Sequence, residues 1–401
     1  MKKSIFKALP VITAAILCSA FLILATAGCS EFNQTATTIS TAIESPTVET
    51  TLLELPATES VQEEKKPENF ELLYVPKATA PQELGSIPWF DTVKSGLEKC
   101  AADYGFKVTV TGPPKADGAM QAQIVLDSIG KNIDAIAVCP IDFKMIDSAF
   151  ERANRGGVMT FSNEGYALKN ITFNIEAMSG EAFGQAMMES AVKYTAGQGS
   201  YLVSVGFLNS IPQNQWADAE IAYQKKNAPG LTNILGYTEG SDRFEDSEEP
   251  KVASEKLAGL IDSNKGLNLV IGNSPSTGIA AQETIAKKRL KGKLFFVGTG
   301  LPVAIGEGIE SETIQEGFFW DPYLIGYTIG YIAFKSWMGI EIREGDSVME
   351  PDGSGLEGYE NLKIGENLSG AAAIYGNATV SVNKDNLEKW KQKFSDYGWP
   401  Q

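Results

Sequence analysis

The apolar positions of this chain fall into short uninterrupted runs, separated by longer segments whose apolar residues recur at helical spacing. From residue 70 the alternation is regular. Glu71–Val75 predicts a strand, and Phe90–Tyr104, closed by Gly105, a helix. Phe106–Val110, Asp134–Val138, Gly157–Phe161 and Ile171–Ile175 predict further strands, with helices over Met120–Ile129 and Met145–Ala153. Strands follow at Tyr201–Leu208, Ile234–Tyr237, Leu267–Ile271, Leu294–Val297 and Phe318–Trp320. Helical patterns separate most of them: Ala182–Tyr194, Ala217–Lys226, Val252–Ile261, Gly278–Leu290 and Leu324–Trp337. Strands that are apolar throughout are buried on both faces, as in parallel sheets covered by helices. The repetition predicts an α/β chain of doubly wound parallel sheets.

The rhythm breaks twice. Gly157–Glu176 holds two strands with no helix between them, and a second break lies near Gln315–Asp321. These breaks predict hinge crossings between two lobes, the N-terminal one over residues 69–176 and 315–345, the C-terminal one over 177–314 and 370–401. Residues 341–369 are poorly patterned. The chain is expected to end in a strand, Ala371–Val382, and a helix, Asn383–Phe394, with Asn383 as N-cap.

Before residue 69 the chain reads differently. Lys2, Lys3 and Lys7 precede an uncharged stretch, Ala8–Gly28, that ends in small residues: a secretory signal over residues 1–28. The Ala27-Gly28-Cys29 ending resembles a bacterial lipobox, which implies cleavage before Cys29 and a lipid on its sulfur. The alternative is an uncleaved apolar anchor. Residues 29–68, rich in Thr, Ser, Glu and Pro, read as a disordered tether. The expected location is the cell membrane, lipid-anchored on the extracytoplasmic face.

The formal charge of −16 argues against nucleic acid as a partner. A neutral or cationic solute suits it better. The chain has no histidine. Ser-His-Asp and Cys-His catalysis are thereby excluded, and the commonest metal ligand is missing. No catalytic residue, metal or cofactor is assigned, and the chain is not read as an enzyme. Beyond Cys29, Cys100 and Cys139 read as two small buried residues rather than a bridge. Asp242, Glu245, Asp246, Glu248 and Glu249 lack the spacing of a calcium loop and read as a solvated acidic loop.

In parallel sheets ligands sit at the carboxyl ends of the strands. Those ends carry Lys77, Asp142, Ser162, Asn163, Gln213, Asn214, Pro275, Thr277 and Asp321. Trp89, Phe90, Trp216 and Trp320 are candidates for packing on an apolar ring face, with the core as their other destination. Asn214 also reads as an N-cap for the helix after it. Amides, hydroxyls, carboxylates, a lysine and indoles form a set suited to a polyol.

Several of these stretches, in order, resemble the type I periplasmic solute-binding proteins of ABC transporters, within their autoinducer-2/rhamnose-binding branch. The stretches are Tyr74-Val75-Pro76-Lys77, Gly112-Pro113 with Gln121-Ala122-Gln123, Gln213-Asn214-Gln215-Trp216 and Ser274-Pro275. The densest match is Gly298-Thr299-Gly300-Leu301-Pro302 with Phe319-Trp320-Asp321-Pro322. The resemblance implies two lobes on a hinge and a monomer that carries a small sugar-like ligand, autoinducer-2 being one candidate, to an ABC transporter permease. A sensor feeding a kinase or chemoreceptor is the other output such closure can serve. The chain departs from the autoinducer-2 pattern at Pro212 and Ser162, where two carboxylates stand in that branch. A different sugar, or a less hydroxylated compound, is the resulting expectation.

Overall fold

The computed structural model describes residues 65–79 and 88–399. The expected signal, Cys29 and nearly all of the expected tether lie outside the described residues.

A 3-10 turn, Pro67–Asn69, leads into the first lobe. That lobe opens with β1 (Glu71–Val75), α1 (Trp89–Tyr104), β2 (Lys107–Val110), α2 (Gly118–Ser128), β3 (Ala135–Val138), α3 (Phe143–Arg155), β4 (Met159–Ser162) and β5 (Phe173–Glu176). The second lobe follows. It holds α4 (Gly180–Thr195), β6 (Gly199–Val205), α5 (Ile211–Asn227), β7 (Leu231–Asn233), β8 (Phe244–Glu245), α6 (Pro250–Ser263), β9 (Leu267–Gly272), α7 (Pro275–Lys287), β10 (Phe295–Thr299), α8 (Pro302–Glu310) and β11 (Glu316–Phe319). The chain then returns with α9 (Pro322–Trp337), β12 (Lys363–Glu366) and β13 (Ala372–Tyr375), and finishes with β14 (Val380–Val382) and α10 (Leu387–Asp396).

The first sheet runs β12-β13-β5-β4-β3-β1-β2, the second β14-β11-β10-β9-β6-β7 with β8 also on β6. All pairs are parallel except β12–β13 and β11–β14. The apolar strands bury both faces. In the first lobe Leu72 and Tyr74 face Val93, Leu97, Ile329 and Phe334, while Leu73 and Val75 share a core with Val125, Ile146 and Phe150. In the second, Tyr201 and Val203 pack on the α4 side with Phe183 and Met187, and Leu202 and Val270 on the other side with Leu257 and Ile285.

Three crossings join the lobes, as many as the expected lobe bounds imply, but the third lies after residue 375 rather than between 345 and 370. β4 and β5 are neighbours in one sheet, so the first crossing follows Glu176. The second follows Phe319: β11 pairs with β10, so residues 316–319 belong to the second sheet and not to the N-terminal lobe. The expected strand Ala371–Val382 is two strands in different sheets, and residues 372–375 belong to the first. The third crossing lies between them. It runs beside the first, bonded through Gly376 N–H to Glu176 O (3.0 Å) and Ala378 N–H to Ala177 O (2.9 Å).

Other differences are local. The strand expected at 234–237 is three residues early, at β7. β8, α8 and β12 carry too little apolar periodicity to be read. The last helix starts at Leu387 with Asn386 at its N-cap position; Asn383 instead accepts the Asp385 N–H in a turn (3.0 Å). No described helix is long and apolar enough to cross a membrane. Cys100 and Cys139 are free and buried.

Helices α1 and α9 touch backbone to backbone. A Cβ on Gly96 would lie 2.0 Å from Tyr323 O, and one on Gly326 2.1 Å from Val93 O. The two glycines let the first lobe's helices close on each other across the chain's second return. Gly96→Ala is therefore predicted to destabilise the protein by about 1–3 kcal/mol through overpacking, against at most ~1 kcal/mol gained in helix propensity. The result to look for is a lower urea midpoint at unchanged slope; an unchanged or raised midpoint contradicts the close crossing.

Candidate functional site: a cleft at the strand ends

A cleft of about 440 Å³ lies between the carboxyl ends of the two sheets. The first lobe supplies Ala78 and Thr79 after β1, Glu164 after β4, and Pro88, Trp89, Phe90 and Asp91 at the start of α1. The second supplies Gln213, Trp216, Glu248, Asn273, Pro275, the 299–301 turn and Trp320. The parallel strands dictate this placement, because each βα turn emerges on the same side of its sheet.

Of the residues read from sequence, Trp89, Phe90, Gln213, Trp216, Pro275 and Trp320 come together as cleft wall. The indoles form one cluster: Trp320 meets Trp89 edge-on at 5.5 Å and Trp216 at 6.4 Å between ring centroids. Trp216 also meets Phe183 at 4.9 Å, so it is core on one face and wall on the other. Lys77 stands beside the wall, with its Nζ 2.6 Å from Glu164.

The structure gives the remaining candidates supporting positions rather than the cleft surface. Asp142 caps α3 by accepting the Met145 N–H (2.8 Å). Asp321 caps α9 and accepts from Tyr397 Oη (2.9 Å) and Lys393 (2.7 Å). Ser162 donates to Asn174 Oδ1 (2.9 Å), and Asn163 accepts from Tyr74 Oη (3.2 Å). Thr277 is fully buried, donating to Asp246 Oδ2 (2.6 Å) and lying 2.6 Å from Ser204 Oγ. Asn214 is no N-cap. Helix α5 begins earlier than expected, at Ile211, so the polar run forms its first turns, and Asn214 Nδ2 donates to Phe207 O (3.0 Å) and Ser210 O (2.7 Å).

Gln213 does more than face the cleft. Its Oε1 accepts the Gly206 N–H (2.6 Å), and its Nε2 donates to Glu248 Oε1 (2.9 Å). Glu248 belongs to the stretch expected to be a solvated acidic loop; that expectation holds for the exposed Glu248 and Glu249 and fails for two other members. Asp242 and Asp246 are buried, the first against Arg243 Nε (2.8 Å), the second under Thr277. Burial raises the Asp246 carboxyl, and the Thr277 hydrogen bond opposes the rise. Sequence spacing could not reveal this. The turn that presents Glu248 is non-local, held by Asp246 N–H to Val205 O and Ser247 N–H to Gly206 O.

Two cleft carboxylates share an unusual backbone. Glu164 (φ 56°) and Glu248 (φ 54°) are non-glycine residues in the left-handed region, and Ser247 (φ 60°) accompanies the second. Such conformations cost of order 1 kcal/mol or more each and concentrate at ligand clamps. One lies at a strand end of each lobe.

Behind Glu164 sits Glu176, buried and accepting from Asn174 Nδ2 (2.8 Å). Burial pushes its carboxyl from 4.5 up to about 8; Glu164 adds to the rise, and the Asn174 amide and Lys77 oppose it. For Lys77 the balance is reversed. Burial would lower it, but Cys139 and Glu164 outweigh that and hold it above the ordinary lysine value. Across the cleft, Glu220 is raised by burial, with the Asn273 amide opposing (Nδ2 to Oε2, 3.1 Å).

The model of the periplasmic binding protein domain family matches residues 80–340. A sugar ABC transporter structure from Actinomyces odontolyticus is 19% identical over 81% of this chain and 98% of its own, with a TM-score of 0.68. A solute-binding protein from Clostridium phytofermentas with bound L-rhamnose is 18% identical over 81% and 98%, TM-score 0.63. LsrB from Clostridium saccharobutylicum in complex with AI-2 is 17% identical over 80% and 99%, TM-score 0.61. At these identities the likeness is one of fold. No curated protein matches the chain.

Glu176 fixes a pH dependence. Its folded-state value lies above its unfolded one, so between pH 4.5 and about 8 the folded protein holds a proton that the unfolded chain has released. Its contribution to stability is complete below pH 4.5 and is lost as pH rises through about 8. Urea unfolding across this range should therefore show Glu176→Gln gaining on the wild type as pH rises. A constant difference from acid to alkaline pH would mean that Glu176 is ionised in the fold.

Proposed function

Because the chain belongs to the periplasmic binding protein family, we propose that it captures a small sugar-like solute in the interlobe cleft and delivers it to the permease of an ABC transporter. The observation that carries the reading is the composition of that one cleft: three indoles, Trp320 meeting both Trp89 and Trp216, with Gln213, Asn273, Glu164 and Glu248 around them, supplied by both lobes. Indole faces cover the apolar face of a sugar ring, and amides and carboxylates take its hydroxyls. The bound sugars named for the structural relatives, L-rhamnose among them, point the same way.

Capture works by closure. Three crossings hinge the lobes, and two of them are bonded side by side, so the lobes can rotate as bodies while the strands stay paired. A solute that contacts both walls favours the closed state by its differential affinity, and the permease recognises that state. Autoinducer-2 remains one candidate. The acids expected in its branch are absent at Pro212 and Ser162, and the carboxylates that line the cleft are Asp91, Glu164 and Glu248. The lipobox-like ending at Cys29 supports a lipid anchor that holds a monomer near its permease.

The test is a thermal-shift and calorimetric screen of the purified protein against pentoses, hexoses, deoxysugars, amino sugars, polyols and autoinducer-2. A true ligand at a hundredfold excess over Kd stabilises the fold by about 2.7 kcal/mol. Gln213→Ala should weaken that ligand about tenfold or more, since it removes a wall amide and releases Glu248, while circular dichroism stays unchanged. Absence of any ligand in the screen, or full affinity in the variant, contradicts the reading.

A further inference from the structure

The polar groups of the cleft are unbalanced. Asp91, Glu164 and Glu248 line it, and among the described residues no lysine or arginine does. Lys77, beside the wall, is committed to Glu164 at 2.6 Å. The Glu248 carboxylate has one hydrogen-bond partner among the described residues, the neutral Gln213 amide, and no ion pair; Asp91 likewise has no ion pair there.

A second observation is independent of the acids. Asn273 is fully buried and lines the cleft. Its Nδ2 is spent on Glu220, and its Oδ1 has no hydrogen-bond partner among the described residues. A buried amide oxygen left so is costly unless something donates to it. The wall hydroxyls have their hydrogens engaged as well: Thr79 Oγ1 donates to Pro113 O (3.3 Å), and Thr299 Oγ1 to Gly272 O (3.4 Å). Apart from the indole N–H groups and the second amide hydrogens of Gln213 and Asn273, the side chains of the wall therefore present acceptors, and these carry the net negative charge.

The complement of an acceptor wall is a donor. A hydroxyl both donates and accepts, whereas a protonated amine only donates, three times, and brings the missing charge. Closure over a neutral solute would bury Glu248 without a counter-charge, which is expensive. Closure over an ammonium would pair it, and the indoles at Trp89, Trp216 and Trp320 favour a cation near their faces. Building this arrangement has its own cost. Glu248 and Ser247 are both held at positive φ, and Gly206 leaves room for the Glu248 side chain: a Cβ there would lie 2.5 Å from its Cγ.

We propose that the cleft selects a sugar-like solute bearing a protonated amine, and that Glu248, held by Gln213, is the residue that recognises the amine. The inference rests on the capture of a sugar-like solute set out above and narrows it to an amine-bearing class.

The test is calorimetry on the whole protein, at one pH and salt concentration. The probes are D-glucosamine, D-galactosamine and D-mannosamine, each set against its parent hexose and its N-acetyl derivative. Glu248→Gln, which keeps the side-chain length and the carbonyl that Gln213 donates to, is run in parallel, with its melting temperature as a check on folding. One free amine should bind about tenfold or more tighter than its neutral counterparts. Glu248→Gln should cost that amine about a hundredfold, and cost a neutral sugar, whose hydroxyls the glutamine can still bond, at least about tenfold less. A neutral hexose that binds as tightly as its amine, or a variant that weakens both equally, overturns the amine inference and leaves sugar capture standing. If no amine binds while a neutral sugar of the wider screen does, the result is the same. Should no sugar of any kind bind, the capture reading falls, and the inference with it.

Discussion

Burial of the strands on both faces is the constraint from which the rest follows. Leu72 and Tyr74 on one face, and Leu73 and Val75 on the other, are all sealed under helices. The same holds for Tyr201 and Leu202 in the second lobe. Such strands leave little room for chemistry along their length. Polar side chains collect where the strands end, and the parallel pairing puts those ends on one side of each sheet. Two sheets joined by three short crossings then bring the two sets of ends together, and a cleft results without any element devoted to forming it.

The indole cluster ties this cleft to the hinge. Trp320 stands at the end of β11, one residue before the Asp321 cap of α9, so it sits on the second crossing itself. Trp89 opens α1 and also meets Trp399, whose Nε1 donates to Thr92 Oγ1 at 2.7 Å. The C-terminal segment thus reaches from α10 of the second lobe to α1 of the first. Tyr397, stacked on Tyr323 at 5.4 Å between centroids, adds to the same contact. A solute pressing on Trp89 or Trp320 acts on residues that also define how the lobes meet, which links occupancy of the cleft to closure.

Much of the scaffold was legible because burial writes a strong pattern. Continuous runs such as Ala135–Val138 and Leu267–Gly272 can hardly be anything but interior strands. The place of the third crossing was not legible, because Ala372–Tyr375 and Val380–Val382 are apolar runs close enough to read as one strand; only the pairing partners, β5 and β11, separate them. The aromatic part of the site was also readable, since Trp89, Trp216 and Trp320 stand next to strand ends or helix starts. Its carboxylates were not. Glu248 sits in an acidic stretch that looks solvated, and its aim depends on two left-handed residues and on hydrogen bonds to Val205 and Gly206 some forty positions away. Conversely, Asp142 and Asp321 sit at strand ends, as ligand-binding acids do, but helix capping uses the same residue type in the same place.

The central claim is that a single cleft, walled by both lobes, holds the solute. A crystal structure of the protein grown with the tightest-binding solute tests it most directly. Density is expected against Trp216 and Trp320 on one side and Trp89 or Glu164 on the other, with the lobes closed upon it. Density on one lobe alone, or anywhere outside this cleft, would contradict it.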